Sequence, residues 1–90
     1  MARPKKWRRV LFFPRVTAFI PHGKRGGFFN MVEITREEVE AVRLKNILGL
    51  EQIQAAEKMK TSQSTFQRIL SSAYQKIAQG IIYGRGIKIK

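Results

Sequence analysis

Residues 48–80, LGLEQIQAAEKMKTSQSTFQRILSSAYQKIAQG, decide how this chain folds. The stretch reads as a short helix, a tight turn at Lys60-Thr61-Ser62 and a longer helix opening at a Ser cap. The short helix covers roughly Glu51 to Met59, with Ile53, Ala56 and Met59 expected inward; the small Ala55 and Ala56 permit close helix packing. The longer helix runs from Ser62 to about Gln79. In it Phe66, Ile69, Leu70, Ala73 and Ile77 recur at helical spacing and form one buried stripe. Ser64, Gln67, Arg68, Ser71 and Gln75 occupy the opposite face, and Gly80 is expected to end the helix. This is the layout of a helix-turn-helix, whose second helix commonly lies in a DNA major groove.

Working outward, the preceding helix is expected to start at Thr35. Thr35 and Glu38 have the spacing of a capping box, in which the Thr oxygen accepts an N–H and the Glu reaches back to the cap. Ile34 and Val39 supply the accompanying hydrophobic staple. Val39, Val42 and Ile47, with Leu44 and Leu48 toward the edge, are expected to form its apolar face, and Gly49 to end it. Val10 to Phe13 and Val16 to Ile20 are short β-prone runs bounded by Pro14 and Pro21. His22 to Gly27, HGKRGG, reads as a flexible loop. Ile87-Lys88-Ile89-Lys90 alternates strictly and reads as a strand; a lone strand is not stable, so the N-terminal strands are its expected partners.

The expected fold is therefore mainly α: a three-helix helix-turn-helix domain with short β-strands at both termini. Its parts are a basic arm and strands over 1–30, the helical unit over 31–82 and a last strand over 83–90, all in one compact domain, as 90 residues allow.

Charge narrows the function. The chain carries +12, from 18 Lys and Arg against 6 Glu, a field that concentrates polyanions. The charges are also segregated. Eight cations and no acid lie between Met1 and Arg25, all six acids fall between Glu33 and Glu57, and five cations with no acid follow Gln63. Nucleic acid is the first candidate partner and an anionic membrane surface the second. No apolar run approaches the roughly 20 residues of a transmembrane helix. VLFFP is too short for a signal-peptide core, so a cytoplasmic, nucleoid-associated location is expected. With no Cys and one His, disulfides, thiol nucleophiles and clustered Cys or His metal ligands are excluded. No acid/base pair or activated nucleophile stands at a usable spacing, so no enzyme, catalytic residue, metal or cofactor is expected.

The candidate site follows from the layout. Gln63, Ser64, Gln67, Arg68 and Ser71 lie at the start and on the outer face of the third helix, where recognition helices meet base edges. Arg pairs bidentately with guanine and Gln with adenine. Ser62 and the first N–H groups suit a phosphate. The arm Arg3, Lys5, Lys6, Arg8 and Arg9 would track phosphates or enter a minor groove. Trp7 is expected to anchor a core or a dimer rather than stack on a base. HGKRGG lacks the Walker spacing and reads as a plain loop. Glu37, Glu38 and Glu40 match the acidic first turn that any helix favours, and they also offer a surface to a protein partner. Phe12, Phe13, Phe28, Phe29, Ile81, Ile82 and Tyr83 exceed what a three-helix core needs. A small sheet or a second subunit must bury them, and a symmetric dimer is the commonest oligomer.

Three blocks carry a family resemblance: the opening MARPKKWRRV, then EITREEVEAVRL, then GLEQIQAAEKMKTSQSTFQRIL with SSAYQKIAQGI after it. They resemble the UPF0251 (DUF134) family of small prokaryotic proteins over nearly the whole chain, and the last block is also similar to the helix-turn-helix in region 4 of sigma-70 factors. The resemblance implies a predicted DNA-binding protein. It puts Ser62 at the helix cap, Thr65 and Phe66 at the packed start of the recognition helix, and Gln63, Ser64, Gln67 and Arg68 at groove-facing positions. The chain departs from the pattern at Gln63, where relatives commonly carry Arg. It also carries Trp7 and Leu11 in a region where many have Cys, so no thiol or metal role transfers. Some relatives add a C-terminal domain resembling dinitrogenase cofactor-binding proteins; the chain stops before it, so no such cofactor is expected.

The expectation is a sequence-specific regulator that binds double-stranded DNA as a homodimer. Two alternatives remain: an adaptor that docks on RNA polymerase through its acidic first helix, and a general RNA-binding basic protein.

Overall fold

The computed structural model describes residue 10, residues 17–23 and residues 30–90. The arm cations Arg3, Lys5, Lys6, Arg8 and Arg9, the aromatics Trp7, Phe12, Phe13, Phe28 and Phe29, and most of the HGKRGG loop lie outside the described residues. The elements run β1 (Ala18–Phe19), β2 (Val32–Ile34), α1 (Arg36–Val42), a π-helical turn (Arg43–Ile47), α2 (Gln52–Lys58), α3 (Gln63–Ile82) and β3 (Ile87–Ile89). The described fold is thus mainly helical, with three helices and short strands.

The strands form one sheet in the order β1-β3-β2. β3 is central, antiparallel to β1 (Ala18↔Lys88, Phe19↔Ile87) and parallel to β2 (Val32↔Ile87, Glu33↔Lys88, Ile34↔Ile89). Parallel neighbours need a long crossover, and here all three helices supply it. The pairing of β3 with an N-terminal strand is as expected; β2 is an addition. Met31-Val-Glu-Ile-Thr35 alternates for only three residues before the helix cap, too short a run to separate from a loop. Val32 and Ile34 point inward while Glu33 faces solvent, its carboxylate 3.5 Å from Lys90 Nζ.

The capping box opens α1 as expected. Thr35 Oγ1 accepts the Glu38 N–H at 3.1 Å, and Glu38 Oε1 accepts the Thr35 N–H at 2.8 Å. Ile34 and Val39 line a common groove, as a staple requires. The inward face differs from the expected one. Ala41 and Leu44 are fully buried, whereas Ile47 and Leu48 are exposed. The helix widens into the π turn, with Leu48 N–H on the Arg43 carbonyl at 3.0 Å, which shifts Ile47 and Leu48 out of phase with the buried Ala41 and Leu44. Gly49 at φ 72° then reverses the chain, and Leu50 returns to pack on the core.

That core joins Ala41, Leu44, Ala55, Ala56, Met59, Phe66 and Leu70. Ala55 and Ala56 let α2 approach closely, and Phe66, fully buried, fills the space the alanines leave. Ile53 is exposed rather than inward: it sits on the first turn of α2, whose buried positions are Ala55 and Ala56. The predicted stripe on α3 holds, with Phe66, Leu70 and Ala73 buried and Ile69 and Ile77 half-buried. Gly80 does not end α3, which continues to Ile82. Instead it lets β3 come close, since a Cβ there would lie 2.5 Å from Ile87 Cγ1. The end falls at Gly84, φ 64°, where the Arg85 N–H reaches back to the Gly80 carbonyl at 3.0 Å.

Candidate nucleic-acid interface

The turn before α3 is built by backbone bonds. The Lys60 N–H donates to the Glu57 carbonyl and the Thr61 N–H to the Ala56 carbonyl, both at 3.0 Å, the paired bonds of a Schellman ending. The reversing residue, Lys60, has φ 57°, a conformation that costs a side chain roughly 1 kcal/mol and that glycine usually occupies. The chain therefore carries a lysine where the backbone would prefer none.

Ser62 begins α3. Its Oγ accepts the Thr65 N–H at 3.1 Å and donates to Thr65 Oγ1 at 2.9 Å. The hydroxyl expected to meet a phosphate is thus engaged in capping the helix. The Phe66 N–H already donates to the Ser62 carbonyl at 2.9 Å, so the N–H groups lacking an intrahelical acceptor are those of Gln63 and Ser64, and an anion here would meet backbone rather than the Ser62 side chain.

Gln63, Ser64, Gln67, Arg68 and Ser71 are all exposed. From Ser64 to Ser71 they lie opposite Phe66, Leu70 and Ala73, and Gln63 flanks them at the first turn. The structure thus brings the described α3 candidates together on one side of a helix held from behind by the core. Arg68 makes no hydrogen bond or ion pair among the described residues and is the only cation on a face otherwise of Gln and Ser. The arm candidates Arg3, Lys5, Lys6, Arg8 and Arg9 lie outside the described residues.

Sequence reasoning missed Lys58 and Lys60. Both are exposed and flank the turn that delivers α3. Their signal was the alternation Lys58-Met59-Lys60: Met59 is fully buried, so its neighbours point out beside the start of α3.

The acids behave differently from the cations. Glu38 is buried and accepts from Ser72 Oγ at 2.6 Å, from Lys76 Nζ at 3.0 Å and from the Thr35 N–H. Burial pushes its pKa up, but the hydrogen bonds from Ser72, Thr35 and Lys76 outweigh burial and hold the carboxyl below its usual range. Glu40, 1 % exposed, is gripped by Arg43 at 2.9 and 3.0 Å. That bond holds the Arg43 guanidinium above its ordinary pKa against the effect of burial. Two of the three acids of α1 are therefore structural, and Glu40 does not offer a surface charge to a docking partner. Glu38 also ties α3 to α1 along the flank that carries Ser72 and Lys76, and Tyr74 Oη donates to Asn46 Oδ1 as a second tie.

Among the described residues no three His, Cys, Asp or Glu side chains come together to hold a metal ion, and no helix is long and apolar enough to cross a membrane.

Comparison with known proteins agrees with the resemblance to the UPF0251 (DUF134) family. The family described as "Protein of unknown function DUF134" matches residues 1–90. A UPF0251 protein of Clostridium novyi (strain NT) is 46% identical over 89 residues, 99% of this chain and 60% of its own length. One from Caldanaerobacter subterraneus subsp. tengcongensis is 47% identical over 90 residues, 100% of this chain and 76% of its own. One from Desulforudis audaxviator (strain MP104C) is 48% identical over 90 residues, 100% of this chain and 59% of its own. The chain spans about three-fifths of the first and third relatives and three-quarters of the second. No solved structure matches it. The coverage of all 90 residues by one family, together with these relatives, makes this chain a member of the DUF134 family, whose curated relatives carry the name UPF0251.

Proposed function

We propose that this protein binds double-stranded DNA in a sequence-specific manner and acts as a non-catalytic transcriptional regulator, with α2, the turn and α3 serving as a helix-turn-helix resembling region 4 of sigma-70 factors. The observation that carries this reading is the exposed face Gln63, Ser64, Gln67, Arg68 and Ser71, set on a helix whose opposite side is locked into the core of a chain with net charge +12. Such a face offers side chains that discriminate bases: Arg68 toward guanine, Gln67 and Gln63 toward adenine. It carries too little charge to supply affinity by itself. That role falls to Lys58 and Lys60 at the turn and to the cations the sequence carries in its arm, because phosphate contacts position a protein and base contacts specify the site. If about six phosphates are neutralised, log K falls against log salt with a slope near roughly −5.

The test is selection of bound duplexes from a random pool at about 150 mM salt, with the Gln67→Ala/Arg68→Ala double variant run in parallel. A reproducible motif that the double variant loses or relaxes is the expected result. DNA retained without any motif by both proteins would overturn base readout by α3. Arg68→Ala alone is expected to cost roughly 1–3 kcal/mol on the selected site. An equal loss on random DNA would make Arg68 a phosphate contact.

A further inference from the structure

The C-terminal end of α3 carries an apolar surface that the DNA reading does not use. Ile81, Ile82 and Tyr83 are 67%, 74% and 70% exposed. Three consecutive residues cannot share one helix face, so this end of the helix stands clear of the body on more than one side. Beside it Phe19 and Ile20 on the β1 edge are also more than half exposed. Between them lies a groove of about 240 Å³ walled by Phe19, Ile20, Pro21, Ile81 and Ile87 and floored by Gly80, Gly84 and Gly86. Exposed apolar side chains grouped in this way mark an interaction site.

Two observations identify what covers it. First, a projection (Ile82 and Tyr83) and an apolar groove lie at the same end of the molecule. A two-fold contact is made by one patch against itself, so that patch must hold both the part that inserts and the part that receives. Second, residues 77–84, IAQGIIYG, hold no charged side chain in a chain of net charge +12. Two like-charged copies repel wherever their cations face each other, and this span is one place where they can meet without that cost. Within this span an acidic partner finds no cation to bind.

We infer that Ile81, Ile82 and Tyr83, with Phe19 and Ile20, form a two-fold self-association surface that joins two copies of this chain. The inference stands without the DNA reading, and DNA is absent from its test. Where the two are combined they are compatible. Arg68 lies 14 residues before Ile82 on α3, about 21 Å along the axis at 1.5 Å per residue. Joining two α3 helices at their ends leaves both outer faces free. It also sets each Arg68 about 21 Å along its helix from the contact, a reach of the scale needed for two sites roughly 34 Å, one DNA turn, apart.

Sedimentation equilibrium of the full chain without DNA, from about 5 to 200 µM, tests the surface. The expected result is a species of twice 10.4 kDa that dissociates at least tenfold more readily in Ile82→Lys and in Tyr83→Ser. Ile53→Lys, which alters an exposed isoleucine far from the patch in sequence, is expected to leave it intact. Far-UV circular dichroism identifies any variant that fails to fold, and Tyr83→Ser changes the most solvated helix end least. A 10.4 kDa monomer at every concentration would overturn the inference, whatever else covers the face. So would a dimer that survives both patch variants, or one lost equally in Ile53→Lys, since the latter is non-specific apolar aggregation.

Discussion

Lys76 on α3 and Glu38 on α1, 38 residues apart in the chain, meet with the Lys Nζ 3.0 Å from both carboxylate oxygens. Ser72, one turn earlier on α3, donates to the same carboxylate. Glu38 also receives the Thr35 N–H, so one side chain both caps α1 and clamps α3 against it. Glu38→Gln keeps the shape but removes the charge and turns two acceptor sites into an N–H₂ donor facing Ser72 and Lys76. Thermal unfolding is expected to show a loss of about 1–3 kcal/mol. An unchanged Tm would mean that the clamp contributes nothing beyond packing.

The same carboxylate predicts a pH dependence. Its pKa in the folded state is lowered relative to the ordinary 4.5, so the unfolded chain takes up this proton first as pH falls. Its contribution is complete above the ordinary carboxylate range and disappears as pH falls through the lowered folded value. Urea midpoints measured from pH 7 down to 3 are expected to fall below about pH 5. In Glu38→Gln this acid-side decline should be shallower. Identical slopes in the two proteins would place the acid sensitivity elsewhere.

Lys60 offers a separable test of fold and function. Its φ of 57° favours glycine, so Lys60→Gly is expected to raise stability by about 0.5–1 kcal/mol. If the side chain meets a phosphate, the same variant binds every duplex more weakly and reduces the salt slope by about 1. A gain in stability with unaltered DNA affinity would remove Lys60 from the interface.

Gly80→Ala reverses the usual rule for helices. Alanine should favour a helix interior by about 1 kcal/mol, but here its Cβ would stand 2.5 Å from Ile87 Cγ1 and 3.1 Å from the Gly86 carbonyl oxygen. Overpacking of this kind costs about 1–3 kcal/mol. The expected result is a lower Tm, with the amides of Ile87 to Ile89 losing protection from hydrogen exchange before those of α3.

What could be read from the sequence was local or periodic. The Thr35–Glu38 box and the Ser62 cap need only three residues of spacing, and the Phe66, Leu70, Ala73 stripe repeats over about two turns. The exposed face of α3 follows from that stripe by elimination. What could not be read depended on a break in helical spacing or on other elements. Leu44 is covered and Leu48 is not, because the π turn over Arg43–Ile47 breaks the helical spacing that would keep them on one face. Gly80 looks like a helix terminator until β3 is known to press on it. The partner of Glu38 lies 38 residues away, beyond any local pattern, whereas Arg43 is only three residues from Glu40. The alternation Lys58-Met59-Lys60 tells which side chains point out, but not that the end of α2 lies beside the exposed polar face of α3.

The position of β3 in the sheet also sets an order of events on the ribosome. It is the strand that bonds to both others, yet it is made after them and after α1, α2 and α3. Until it emerges, β1 and β2 lack the one described strand that pairs with both, while α1, α2 and α3 already possess the side chains of their common core. The nascent chain therefore completes its helical unit first and closes its sheet last. The long-range strand pairings come at the slow end of folding, and during that interval two short strand edges stand open to other chains.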